Sequence, residues 1–139
     1  MFNHTDVCGI FSNHCRDGDL VMIDPDLAIR IAGVLAMLAA MGHGYLGDKA
    51  LAKVKIEPDN QKSFTRWCYQ FGSFSWLVGG IVFLIAPDLL SGSERNILIV
   101  TFAPIYLFGA LVNLWFTKAR HPGWVMLLTV VVLSIFGRV

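Results

Sequence analysis

The sequence predicts an all-α fold: a four-helix transmembrane bundle over residues 27–139, preceded by a polar extramembrane tail over residues 1–26. Three observations carry that expectation. Of the 139 residues, 55% are hydrophobic and only 15% are charged, against about 45–50% and about 25% in soluble domains. The charges gather in the N-terminal tail and in short connections, leaving long stretches almost free of charge. Those stretches have the length of a bilayer-crossing helix. The formal net charge of +1 provides no basic face to neutralise phosphates, which argues against nucleic acid as a partner.

The tail is polar and irregular. It lacks the basic start and early apolar run of a signal peptide, because the first apolar run begins near Leu27. Cys8 and Cys15 are spaced to close a short disulfide loop if they face an oxidising compartment; the other reading is two free thiols. His4, Cys8, His14 and Cys15 are zinc-ligating types, but their spacing matches no common structural zinc site. A polar tail of this kind is expected to dock on the protein's own loops or on a partner. Asp24 is placed to cap the first helix, with Pro25 in its first turn.

The first span is expected over residues 27–46. Ala32, Ala36, Ala40 and Gly44 recur every four residues and form a small-residue face suited to helix packing in lipid. Arg30 lies near the span's start, where its head group can reach the interface. His43 ends the span, flanked by Gly42 and Gly44, with Asp48 near enough to orient it or to pair with Lys49 or Lys53. Residues 47–66 read as a long basic loop whose first part continues as an interfacial stretch until Pro58.

The second span is expected over 67–86, with Trp67 and Tyr69 as interfacial aromatics. Gly72, Ser75 and Gly79 form its small face, and Pro87 ends it. The third is expected over 97–116, bent at Pro104, with Asn113 facing the bundle because a polar side chain in an apolar span seeks a partner there. The fourth is expected over 122–137 and is short. His121 precedes it in the tight turn Lys118-Ala-Arg120-His121.

Basic residues concentrate in the connections after spans one and three. The positive-inside rule then places those connections in the cytoplasm of a bacterial cell. Both termini lie in the periplasm, and the protein sits in the inner membrane as a multi-pass chain.

His43 and His121 are the residues most able to carry chemistry, because both lie at the same membrane edge and imidazoles ligate metals and haem. A quinone or lipid-headgroup pocket would draw on His43, Tyr45, Trp67 and Tyr69. The alternative is a His43 that only hydrogen-bonds a neighbouring helix or a partner chain. No acidic residue lies deep in a span, and no catalytic constellation assembles from the sequence.

The runs His43-Gly-Tyr-Leu-Gly47-Asp48, Trp67-Cys-Tyr-Gln-Phe-Gly-Ser73-Phe-Ser-Trp76 and His121-Pro-Gly-Trp124 resemble those of small four-span bacterial membrane proteins. That group shares a His-x3-Gly-acid signature after the first span and a Trp-rich second span. The resemblance covers residues 30–137 and implies the four-span architecture. Where members carry Trp-His, this chain has Trp67-Cys68.

The leading functional expectation is an accessory subunit, without cofactor or catalytic activity, packed among other membrane-protein subunits of a respiratory or photosynthetic complex. The alternative is a redox module that holds haem or quinone at His43 and His121.

Overall fold

The computed structural model describes residues 24–138. Cys8, Cys15, His4, His14 and the docking of the tail therefore lie outside the described residues. The chain forms four helices: α1 (Pro25–Lys53), α2 (Asp59–Leu89), α3 (Gly92–Thr117) and α4 (Gly123–Phe136). Three of them, α1 to α3, are long and apolar enough to cross a membrane. Helix α4 has 14 residues, about 21 Å at ~1.5 Å per residue, and is short for a hydrocarbon core of about 30 Å.

The first three helices outrun their apolar windows. Helix α1 continues through Gly47 to Lys53 and α2 starts at Asp59, so the expected loop over 47–66 shrinks to residues 54–58. Hydropathy marks the stretch that suits lipid, whereas backbone hydrogen bonding carries the helix on into polar surroundings. Pro87 does not end α2, which runs to Leu89. Pro87 lacks the N–H that would bond the Phe83 carbonyl, yet the helix continues past it and the Leu90 N–H reaches the Ala86 carbonyl at 3.0 Å.

Local chemistry explains the ends. The Asp24 carboxylate accepts from the Asp26 N–H at 3.1 Å, and Pro25 opens α1. At the start of α3 the Glu94 carboxylate accepts from the Ser91 N–H at 2.9 Å and from its hydroxyl at 2.7 Å. Those bonds hold the Glu94 carboxyl below the usual carboxylate range. Between α3 and α4 the chain reverses through Lys118 and Ala119, with φ of 50° and 63°.

Helix α1 is central, packed along α2 on one side and α4 on the other, and α3 packs on α4. Gly33 and Gly80 mark the closest approach of α1 to α2: a Cβ on Gly33 would lie 2.6 Å from the Gly80 carbonyl oxygen. Ala32, Ala36 and Ala40 are buried, and Gly44 faces Gln70 and Ser73. On α2, Gly79 meets Phe102 and Tyr106 of α3, whereas a Cβ on Gly72 would meet open space. Tyr106 is fully buried and donates from its hydroxyl to the Trp76 carbonyl at 2.9 Å. Phe83 packs against it and against Phe102.

The antiparallel layout sorts the charges into two ends. One end is basic: Lys49, Lys53, Lys55, Lys62, Arg66, Lys118 and Arg120 lie near the α1–α2 and α3–α4 connections. The other is held by ion pairs. Arg30 bonds Asp88 at 2.6 Å and the Leu84 carbonyl at 3.2 Å, so it cross-links α1 to α2. Arg95 of α3 is 7% exposed and bonds Asp26 of α1 at 2.6 Å.

Candidate functional site

Helical geometry decides which of the expected residues meet. At 3.6 residues per turn, positions two apart point about 200° apart, whereas positions seven apart share a face. His43 and Tyr45 are two apart on α1, and only His43 turns inward; Tyr45 is 68% exposed, with the Lys49 ammonium 5.9 Å from its ring centre. Trp67 and Tyr69 are two apart on α2, and Trp67 is 74% exposed. Tyr69 and Trp76 are seven apart, and both pack on the His43 ring. The structure thus joins Tyr69 to His43 and leaves Tyr45 and Trp67 on outer surfaces. Trp76 replaces them, and the seven-residue spacing from Tyr69 is the signal that locates it.

The His43 ring stacks on Tyr69, centroids 4.0 Å apart and planes at 14°. Trp76 lies 4.6 Å away on a tilted plane. The Tyr69 oxygen is 3.0 Å from His43 Nδ1. The contact is a hydrogen bond whose direction follows the tautomer: the Tyr69 hydroxyl donates to a bare Nδ1 or accepts from Nδ1–H. Stacking and this bond orient the ring, and His43 can carry its proton on either nitrogen because the hydroxyl serves both tautomers. Tyr69 is seated against Gly47, where any Cβ would collide with the phenol ring. Asp48 does not orient His43: its carboxylate takes Arg66 in a two-point pair at 2.6 and 2.9 Å.

His121 is held differently. The Gly123 N–H, one of the unpaired donors at the start of α4, donates to His121 Nδ1 at 3.0 Å. A backbone N–H can only donate, so a neutral His121 carries its proton on Nε2. A Cβ at position 123 would lie 2.9 Å from Nδ1, so glycine there permits the close approach.

Both imidazoles line one cavity of about 230 Å³ at the basic end of the bundle. Asn113, Trp76, Leu38, Met126 and Leu127 complete most of its wall. Asn113 donates from its amide nitrogen to the Gly109 carbonyl at 3.0 Å. The amide oxygen then remains as an acceptor. The cavity so combines one fixed donor in His121, one adaptable group in His43 and one acceptor in Asn113, within apolar and aromatic walls. A second cavity of about 510 Å³ lies between α2 and α3 and shares His43, Trp76 and Asn113 with the first.

The smaller cavity falls below the ~300–1,000 Å³ of drug-sized sites. It suits a single substituted ring and not a tetrapyrrole, so the haem expectation fits poorly. Among the described residues no group of three or more His, Cys, Asp or Glu is placed to hold a metal ion. Cys68 is a free, exposed thiol lining the second cavity.

Comparisons with protein-family models, curated proteins and solved structures return no match.

Proposed function

We propose that the protein is a four-span membrane bundle that binds the ring of a quinone between His43 and His121. The observation that carries this reading is the pairing of a fixed N–H donor with a histidine free to donate or accept. A quinone carbonyl accepts from His121 Nε2–H. The corresponding quinol hydroxyl donates, and His43 or the Asn113 oxygen can receive it. One pocket thereby serves both forms, and Trp76 supplies a flat apolar wall beside the ring.

The test is solvent extraction of protein purified in mild detergent, followed by binding of added quinone. Wild type is expected to retain or take up about one quinone per chain. H121A and H43A are each expected to weaken binding about tenfold, the value of one hydrogen bond of ~1.4 kcal/mol. Uptake no greater than that of empty micelles would end this reading.

The accessory-subunit reading stands second. The small faces suited to helix packing are largely used inside the bundle: Ala32, Ala36, Ala40 and Gly44 are spent on α1's own packing, and Gly79 on α3. A different surface favours a partner: Phe64, Trp67, Phe71 and Phe74 of α2 form an outward aromatic ladder, each 61–74% exposed. It reaches down to the charged start of α2 at Lys62 and Arg66, where a neighbouring subunit of a respiratory or photosynthetic complex would seat. Native electrophoresis with mass spectrometry of gently solubilised membranes tests it; migration of the chain alone under every gentle condition removes it. In either reading the basic connections face the bacterial cytoplasm and both chain ends face the periplasm, as the distribution of Lys and Arg favours.

A further inference from the structure

We infer that the seam between α2 and α3 is a lateral portal that receives the apolar chain of the ligand held at His43. The ligand is then a long-chain quinone entering from the bilayer. This rests on the quinone reading and goes beyond it, because it assigns a second site and a route.

Helices α2 and α3 share the sparsest packing of the neighbouring pairs. They close tightly where Gly79 admits Phe102 and Tyr106, and around Phe83. Toward the basic end the seam opens into the cavity of about 510 Å³. Its sides are Phe71, Gly72 and Ser75 of α2 and Ile105, Phe108 and Val112 of α3. Phe71 and Phe108 are 72% and 70% exposed, so the mouth faces outward, where a bilayer surrounds the bundle. The lining is almost wholly apolar. Ser75 and Thr65 give their hydroxyls to the Phe71 and Gln61 carbonyls at 3.0 and 2.9 Å, and the polar groups His43, Tyr69 and Asn113 lie at the end that adjoins the ring site.

Adjacency decides the occupant. His43, Trp76 and Asn113 stand between the two cavities and wall both, so a ring seated by the imidazoles lies one side chain away from the seam that would take its apolar substituent. A loosely packed, lipid-facing groove that begins at a polar ring site fits a ligand with one polar ring and one long hydrocarbon chain. A water-soluble ring compound would need no such groove.

Gly72 provides the test. A Cβ there meets nothing within 4 Å, so a side chain can start from this position without a backbone clash, and Gly72→Trp places an indole on the wall of the portal. Affinities of tail-less duroquinone and of a decyl-tailed benzoquinone would be measured in identical micelles for wild type and variant. Partition of the tailed compound into detergent is common to both proteins and cancels in the comparison. Wild type is expected to bind both. In Gly72→Trp the tailed quinone should lose tenfold or more while duroquinone changes less than twofold. Ser75→Leu, on the same wall, should give the same selective loss and guards against a folding defect in the first variant. Equal affinity of the tailed quinone for wild type and both variants overturns the portal and leaves the groove to a bilayer acyl chain. Failure of wild type to bind either quinone overturns the ring site itself, and the portal with it.

Discussion

His121 shows how one backbone bond sets the chemistry of a side chain. The imidazole is spent on one nitrogen by Gly123, which leaves the other as a permanent donor while neutral. His43, held by stacking and by the Tyr69 hydroxyl, which can donate or accept, keeps its choice. Neither state is visible in the residue names, since both are histidines at the same end of the bundle. Tyr106 makes the opposite point. It lies mid-span, fully buried, and its hydroxyl satisfies itself on the Trp76 carbonyl. Tyr106→Phe removes that bond with little change of shape, and is expected to lower stability by about 1 kcal/mol in reversible unfolding from mixed micelles. An unchanged midpoint would mean that the hydroxyl contributes nothing net.

At the scale of elements, glycine and strain locate the sensitive joints. The α1–α2 crossing depends on Gly33, where a methyl would lie 2.6 Å from the Gly80 oxygen and 2.8 Å from the Leu84 nitrogen. Both obstacles are backbone, so the helices must separate. Gly33→Ala is expected to cost about 1–3 kcal/mol, the range for overpacking, measured by the same unfolding. The α3–α4 turn carries the converse defect. Ala119 sits at φ 63°, where a side chain costs about 1–2 kcal/mol. Ala119→Gly relieves that strain but gains unfolded-chain freedom, so the expected net gain is up to about 1 kcal/mol. A destabilised Ala119→Gly variant would show that the turn is held by its side chain and not tolerated in spite of it.

For the whole molecule, the decisive fact is the antiparallel arrangement that gathers most basic residues at one end and sets the interhelix pairs of Arg30 and Arg95 at the other. Arg30–Asp88 and Arg95–Asp26 tie α1 to both α2 and α3 at the end remote from the histidines. Reporter fusions after Arg138 and within residues 54–58 are expected to report opposite sides of the membrane, with the basic connection in the cytoplasm. Reporters on one common side would show that α4, at 14 residues, turns back without crossing, and the four-span layout would fall.

Much of this is legible in sequence, and the boundary has a physical cause. Composition and hydropathy determine an all-helical chain with membrane-length segments, because a bilayer demands apolar side chains and internally paired backbone. Local chemistry also determines the Asp24–Pro25 start of α1, since a cap is made by neighbours in the chain. Helical periodicity alone also sets Tyr45 opposite His43 and parts Trp67 from Tyr69, whereas packing decides that Tyr69 is the one that faces inward. Tertiary structure alone decides that His43 and His121, 78 positions apart, line one cavity with Asn113 and Trp76. It also decides that Asp48 goes to Arg66 and that α2 and α3 part beside the histidines. Those outcomes depend on which helix faces meet and how closely, and that is set by packing across the bundle, which no single segment encodes.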